Sequence, residues 1–336
     1  MKKILSTNPS KFLLLILILI LSFFLSLFLG AEKINIESVL SDPESLDSIL
    51  LFELRLPRSI LCLISGILLA SSAAVFQMFF RNYLAEPGLL GISAGATVGA
   101  VIAQISSIPL FAFGCISVIN IFSFFSAILS SLILIFICSR NRHPDQSIIV
   151  LLCGTALGTL YSALTSLIII ISSNKNISGV YSWLMGTFNG KGFDDIKFLI
   201  LPALISFLGL VFISNPLDLL NGGENSAQSL GVNIKFLRFL VLIFSSLAIS
   251  VCVCAGGIIG FIGLIAPNLM RKFFKPNSRV LILTSAISGA SLLLVADTLS
   301  RTLLAPAEIP CGIITAFIGI PFFFSLIFKK VKNEYS

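Results

Sequence analysis

Long apolar stretches recur along the whole of this 336-residue chain, and no other feature constrains its fold as strongly. A helix needs about 20 mainly apolar residues to cross the ~30 Å hydrocarbon core of a membrane. The pattern predicts an all-α polytopic membrane protein with about ten transmembrane helices, built as a single transmembrane domain over residues 1-336. The stretches lie roughly at 12-30, 57-79, 91-107, 111-138, 147-172, 196-214, 236-255, 256-270, 280-299 and 311-328.

The composition supports a membrane environment. Hydrophobic residues make up 57% of the chain and charged residues 11%, whereas about 25% charged residues is usual in soluble domains. A soluble fold cannot bury that much apolar surface, so membrane lipid must cover it. The same figures exclude an intrinsically disordered chain and a nucleic-acid-binding domain, because both need more charge.

The basic residues predict the orientation of the chain. With ten spans both termini lie on one side, and the 22 Lys and Arg residues divide into 15 on that side and 7 on the other. Since cytoplasmic loops carry the excess of basic residues, we expect both termini in the cytoplasm. A cleaved signal peptide is the alternative for the first stretch, which Lys2, Lys3 and Lys11 precede. Its length and the lack of a small-residue cleavage site favour a retained span.

The sequence contains few residues that could form a catalytic or metal site. Its one histidine, His143, lies in a basic loop, so a Ser/His/Asp or Cys/His arrangement within the membrane cannot be assembled. The seven cysteines lie in or beside apolar stretches without metal-ligand spacing. The string GTFNGKG at 186-192 lacks the spacing and the final hydroxyl of a phosphate-binding loop. We expect no catalytic residues, no bound cofactor or metal, and no ATP hydrolysis by this chain alone.

The polar segment 215-235, between the sixth and seventh spans, is too long for a simple turn. Asn215-Pro216 is typical of a helix start, Gly222-Gly223 interrupts the chain, and Gly231 suits the position after a helix end. We therefore predict two short amphipathic helices, which would rest on the membrane interface or dock in a groove of a soluble protein. Their acidic residues favour the protein groove over anionic lipid. The predicted apolar anchors are Leu219, Leu220, Ala227 and Leu230.

Ionisable residues near membrane depth are few. Asp297 and Arg301 have the i, i+4 spacing of a helical ion pair, and Glu308 precedes the last span, where a carboxylate suits a helix N-terminus. Arg55 and Arg58 begin the second span on the outer side. Snorkelling to the membrane surface and docking of an acidic partner are both compatible with that position.

Small residues recur at four-residue spacing in several spans, which is typical of close helix packing. A cavity or hinge role is the alternative, since prolines and glycines interrupt some of these segments. The series are Gly91, Gly95 and Gly99; Gly154, Gly158 and Ser162; Gly256 and Gly260; Gly312 and Ala316.

Five strings, in order along the chain, resemble one known family. They are LRLPR at 54-58, RNYLAEPGLLG at 81-91, GGIIGFIGLIAP at 256-267, ADTLSR at 296-301 and AEIPCGIITA at 307-316. Together they resemble the permease subunits of bacterial ABC importers for iron-siderophores, haem and vitamin B12. The resemblance runs over nearly the whole chain.

This resemblance implies an assembly in the bacterial inner membrane. It implies a ten-helix subunit that pairs with a second permease subunit, as a homodimer or a heterodimer. Two cytoplasmic ATPase subunits would use ATP and Mg, and an extracytoplasmic substrate-binding protein would deliver the cargo. Iron chelates rank first among the cargoes implied, then haem, then cobalamin.

The resemblance also implies roles for particular residues. Arg55, Arg58 and Arg301 would meet acidic residues of the binding protein, and Asn82, Leu84 and Ser147 would belong to a cytoplasmic gate. The helices of segment 215-235 would couple the chain to the ATPases. Their coupling residues would be Leu219, Leu220, Gly223, Glu224, Ala227, Leu230 and Gly231.

Two departures from the family pattern affect the gate region. Tyr83 stands where proline is usual, and Asn268 stands where histidine is common. The main rival to an ATP-driven importer is a secondary transporter that moves protons through Glu86, Asp297 or Glu308.

Overall fold

The computed structural model describes residues 9–106, 111–112, 116–140, 146–172, 181, 183–274 and 277–334. Within these ranges the regular secondary structure is helical apart from one antiparallel pair of two-residue strands, β1 (Phe111–Ala112) and β2 (Ile116–Ser117), with Phe111 opposite Ser117. A π-helical turn, Leu50–Arg55, joins α3 to α4, and a 3₁₀ turn, Pro87–Leu90, precedes α5. The α-helices in chain order are α1 Pro9–Phe28, α2 Ile36–Ser41, α3 Leu46–Ile49, α4 Leu56–Phe79, α5 Ile92–Ile105, α6 Val118–Arg140, α7 Gln146–Ile171, α8 Phe193–Phe212, α9 Ser214–Leu220, α10 Glu224–Ser229, α11 Ile234–Gly256, α12 Ile262–Phe273, α13 Ser278–Thr302 and α14 Cys311–Glu334.

Seven helical segments in the described part of the chain are long and apolar enough to cross a membrane. They are Pro9–Phe28, Leu46–Phe79, Val118–Ile137, Ile149–Ile171, Phe193–Leu220, Ile234–Gly256 and Ser278–Thr302. At the other three predicted positions the chain is also helical, but α5, α12 and the apolar part of α14 are shorter. The all-helical membrane fold is therefore confirmed, while the count of ten and the side of the termini stay predictions.

Local sequence explains where the central helices begin and end. The side chains of Asn233 and Asn277 accept hydrogen bonds from the backbone amides of Phe236 and Val280, which caps α11 and α13. Gly257 follows the last residue of α11, and its φ of 70° suits glycine. Helices α11 and α13 both pack against α4 in the core.

Helices α4, α11 and α13 form the centre of the bundle, and α1 and α7 lie at its periphery. Helices α4 and α13 run antiparallel, with the backbone of Gly66 against that of Gly289 and Ala290. A Cβ atom added at Gly66 would lie 2.6 Å from the Cα of Ala290 and 2.6 Å from the carbonyl oxygen of Gly289. This contact was not predicted from the sequence, although Gly66 and Ala70 have the same four-residue spacing.

The predicted small-residue series have mixed outcomes. Gly95 and Gly99 face α6, and Gly91 faces the backbone of Gly158 in α7, so close packing is confirmed for this series. At Gly260 the interpretation was wrong, because an added Cβ would meet nothing within 4 Å.

Candidate functional site

Arg58 joins three elements at one end of the bundle. Its Nε lies 3.1 Å from both carboxylate oxygens of Asp297, and its Nη2 lies 2.9 Å from Oδ1 of the same residue. Its Nη1 donates to Glu308 at 2.9 Å. Arg58 lies in the first turn of α4, Asp297 near the end of α13, and Glu308 in the segment before α14. The pairing with Glu308 was not anticipated from the sequence.

Arg301 and Arg55 complete this end of the bundle. Nε of Arg301 lies 3.2 Å from Asp297, so the predicted i, i+4 ion pair is confirmed, and its Nη2 donates to the carbonyl oxygen of Ser26. Nη1 of Arg55 donates to the carbonyl oxygens of Leu27 and Phe28, both at 3.0 Å. These carbonyls end α1 and have no partner within their own helix, so Arg55 caps that helix. We call Arg55, Arg58 and Arg301 the arginine cluster, and the part of the bundle that holds it the arginine end.

The arginine cluster is buried within the chain. Arg55, Arg58 and Arg301 are 6%, 7% and 4% exposed, so the alternative in which Arg55 and Arg58 snorkel to the membrane surface was wrong. All three line a cavity of about 580 Å³, together with Lys191 and Glu308. Nη1 of Arg301 is buried and has no hydrogen-bond partner among the described residues. The arginine cluster is therefore a buried set of cations in the wall of one cavity.

The two short helices predicted in segment 215-235 are present as α9 and α10. Gly223 and Gly231 have φ of 116° and 88°, so the predicted break and helix end use backbone conformations that favour glycine. The apolar anchors divide into two classes. Leu220 and Ala227 are 1% and 0% exposed and pack inside this chain, whereas Leu219 and Leu230 are 40% and 67% exposed. Leu220 and Ala227 thus hold the segment in place, and Leu219 and Leu230 are free to face a partner.

Helix α9 is attached to the bundle at two points. Oδ1 of Asp218 accepts hydrogen bonds from the backbone amide of Ser278 at 2.7 Å and from its hydroxyl at 2.6 Å. Oδ2 accepts from the side-chain Nδ2 of Asn277 at 3.4 Å. Arg81, just after α4, donates to the carbonyl oxygen of Leu220. We call this part of the bundle the loop end. Asp218 was not singled out from the sequence, and no local signal identifies its partners.

The segment of the predicted gate lies at the same end. Oδ1 of Asn82 accepts from the backbone amide of Leu84 at 3.0 Å, which shapes the turn. The carbonyl oxygen of Tyr83 accepts from Nδ2 of Asn268 at 3.0 Å, so the two departures from the family pattern touch each other. Arg271 covers the Tyr83 ring at 4.6 Å, and burial lowers the pKa of Arg271 to about 10. Ser147 lies in α7, but its side chain falls outside the described residues.

Helix α7 exposes a row of hydroxyl groups on one face. Each donates to a carbonyl oxygen of its own helix, at 2.8 to 3.0 Å, so none needs water. An exposed polar row on a membrane helix favours contact with a second subunit or a polar path over contact with lipid tails. This face was not predicted from the sequence, although the three- and four-residue spacing of its hydroxyl side chains is helical. Its members are Thr155, Thr159, Ser162 and Ser166.

The three acids that a proton-driven transporter would use, Glu86, Asp297 and Glu308, lie in different surroundings. Asp297 and Glu308 are paired with arginines. Glu86 lies beside the start of α12, where burial raises its pKa to about 7 against a weaker opposite effect of the Phe261 backbone. Of the three acids named for the rival, Glu86 alone has no cationic partner in the described structure. No group of three His, Cys, Asp or Glu residues in the described ranges could hold a metal ion.

Comparison with known proteins gives a consistent result. Residues 18–329 match the FecCD transport family. The chain is 35% identical over 328 residues to the vitamin B12 import system permease protein BtuC of Salmonella newport and to that of Salmonella typhimurium, covering 97% of this chain and 97% of each relative.

Two solved structures share the fold. One is described as an inward-facing conformation of an ABC transporter assigned to the metal-chelate type, with a TM-score of 0.85, 30% identity and coverage of 96% of this chain and 100% of that one. The other is PsaBC from Streptococcus pneumoniae in complex with Fab, with a TM-score of 0.56, 18% identity and coverage of 83% and 92%, which shows the fold alone. The chain belongs to the FecCD transport family of ABC importer permeases and is a multi-pass protein of the bacterial inner membrane.

Proposed function

We propose that this chain is one half of the membrane domain of an ATP-driven importer, and that it moves an iron chelate or a similar metal chelate into the cytoplasm. The observation that carries the proposal is the match to the FecCD transport family over residues 18–329. The chain supplies the path and the attachment surfaces, and separate ATPase subunits bind ATP and Mg. Transport follows from alternation of the paired permeases between outward and inward openings.

The ATPase subunits dock on α9 and α10 at the cytoplasmic loop end. Leu219 and Leu230 are the exposed apolar contacts of this surface, and Glu224 adds a charge on its rim. An amphipathic helix that presents a few exposed leucines suits an apolar groove on a soluble partner. Gly223 and Gly231 support the geometry of this surface through their backbone conformations.

The substrate-binding protein docks at the arginine end, on the opposite side of the membrane. The cavity there is lined by the whole arginine cluster, and the buried Nη1 of Arg301 lacks a partner among the described residues. A buried donor without a partner is costly, so an acidic side chain that enters the cavity gains a strong, charge-assisted hydrogen bond.

The hydroxyl face of α7 lines the transport path where the chain meets the second permease subunit. Both copies in a homodimer would contribute this face, while a heterodimer would pair it with a related helix. Asn82, Leu84 and Ser147 form part of the gate at the cytoplasmic end of this path.

The second candidate cargo is cobalamin, which the 35% identity to vitamin B12 permeases favours. Reconstitution decides between the cargoes. The chain is purified with its copurifying ATPase and binding protein, placed in proteoliposomes, and tested for uptake of labelled ferric chelates, haem and cobalamin. We expect uptake of one cargo that requires ATP and the binding protein. Uptake driven by a proton gradient in vesicles that hold this chain alone would overturn the proposal.

The docking assignment has its own test in Arg301→Gln. Its matched control is Lys33→Gln, which removes one positive charge from an exposed residue outside the cavity lining at the same end. We expect Arg301→Gln to weaken binding-protein affinity by about tenfold or more at low salt, and the control to change it little. Equal affinities for the two variants would contradict docking through the cavity.

A further inference from the structure

Helix α9 is attached to two helices that run from the loop end to the arginine end. Its contacts are with α13 and with the residue Arg81 just after α4. Asp218 in α9 accepts two hydrogen bonds from Ser278, the first residue of α13. Arg81, which follows α4, donates to the carbonyl oxygen of Leu220, the last residue of α9. Leu220 is also fully packed. A displacement of α9 therefore strains its hydrogen bonds to α13 and to the residue that follows α4.

Helices α4 and α13 are in backbone contact in the middle of the bundle. Gly66 and Gly289 let the two backbones approach so closely that no side chain separates them, and an added Cβ at either glycine would lie 2.6 Å from a backbone atom of the other helix. Packed interiors yield little under load and transmit displacement. The two helices therefore act as one rigid pair.

The far end of this pair is joined by buried charges. Arg58 of α4 and Asp297 of α13 are 2.9 Å apart, with almost no exposure of either side chain. Opposite charges attract more strongly where water is excluded. Ser278 and Asp297 are 19 positions apart in one continuous helix, a distance of about 28 Å at 1.5 Å per residue.

We propose that Asp218 is a positioning residue that makes α9 move together with the α4–α13 pair, and that this pair carries the movement to the arginine cluster. The inference rests on the proposed function, which places the ATPase at α9 and the binding protein at the arginine end. Energetic coupling between two sites is reciprocal. Docking of the binding protein therefore changes the rate of ATP hydrolysis through the same two helices.

The test uses the complete importer in proteoliposomes, with Asp218→Asn in this chain. The amide keeps the size of the side chain and one oxygen that can accept from Ser278, but it loses the negative charge and turns its amino group toward Asn277. The matched control is Asp194→Asn, an exposed carboxylate paired with Lys197 outside both attachment points. Three quantities are measured: the ATPase that copurifies, the stimulation of ATP hydrolysis by the binding protein, and the cargo taken up per ATP.

We expect Asp218→Asn to retain the bound ATPase and its basal rate, to lose most of the stimulation, and to lower uptake per ATP about tenfold. Stimulation and uptake per ATP equal to those of Asp194→Asn would overturn the inference. Failure of the proposed function has a different signature, because no ATPase would then copurify with the unaltered chain.

Ser278→Ala provides a second variant in case Asp218→Asn does not assemble. It removes the hydroxyl donor at 2.6 Å and leaves the backbone donor at 2.7 Å. We expect uptake per ATP to fall severalfold while the unfolding temperature of the complex stays that of the unaltered importer. A parallel loss of both quantities, or of neither, would show that the contact with Asp218 has no role in transmission.

Discussion

A single methyl group added at Gly66 is expected to push α4 and α13 apart. The new Cβ would lie 2.6 Å from two backbone atoms of α13, where ordinary contact begins at 3.4 Å. The helices must therefore separate by about 0.8 Å, since no flexible side chain is present to rotate away. Overpacking of this kind costs about 1–3 kcal/mol. A clash with two backbone atoms belongs to the upper part of that range, about 2–3 kcal/mol. The better helix propensity of alanine returns about 0.5–1 kcal/mol, which leaves a net loss of about 1–2 kcal/mol.

Gly158→Ala is the matched control, because it makes the same change inside another long helix. Its added Cβ would lie 3.5 Å from the Cα of Gly91, which is an ordinary contact. The propensity gain then acts without a packing cost, and we expect this variant to be as stable as the unaltered chain or up to about 1 kcal/mol more stable.

The assay is equilibrium unfolding of the purified chain in mixed detergent micelles, followed by helical circular dichroism. A loss of about 1–2 kcal/mol lowers the ratio of folded to unfolded protein by roughly 5 to 30 times. Gly66→Ala should therefore lower the midpoint of the unfolding transition, whereas Gly158→Ala should raise it or leave it unchanged. A midpoint for Gly66→Ala equal to or above that of Gly158→Ala would refute backbone contact between α4 and α13.

Three further predictions concern charged and apolar residues. Asp297→Asn leaves Arg58 with less compensation in a buried site and should cost about 3–5 kcal/mol in the same unfolding assay; a change under about 1 kcal/mol would contradict the buried pair. Leu219→Glu should fold but release the ATPase on size-exclusion chromatography, whereas Leu220→Glu should lower the yield of folded chain, because Leu220 is 1% exposed; equal yields would contradict the orientation of α9. Glu86→Gln should leave ATP-driven uptake in place between pH 6 and pH 8, and a loss of proton-driven uptake in this variant would support the rival transporter.

Local sequence patterns were sufficient to predict the positions of the long helices and the two short helices between the sixth and seventh predicted spans. Apolar length predicted the position of every long helix, because a membrane-spanning helix satisfies its backbone hydrogen bonds within itself. The glycines at 222, 223 and 231 predicted the end of α9 and both ends of α10, because their backbone preferences act over one or two residues. The helix start predicted at Asn215-Pro216 was wrong, because α9 begins at Ser214, directly after Ile213, the C-terminal cap residue of α8.

The candidate site was predicted only in part. Asp297 and Arg301 are four residues apart, so their ion pair followed from helical spacing. Arg58 is 239 residues from Asp297 and 250 from Glu308, and no sequence spacing reports such a contact. The burial of these arginines was therefore missed, and with it the cavity that they line.

The sequence by itself determined that this chain lies in a membrane, where its helices fall, and which family it resembles, because these properties depend on local composition and on motifs. The tertiary structure alone decided which leucines of α9 and α10 face outward and that Asp218 binds Ser278, 60 residues away. It also decided that α4 and α13 touch through their glycines. These contacts arise from the packing of helices distant in the sequence, and only the folded bundle brings them together.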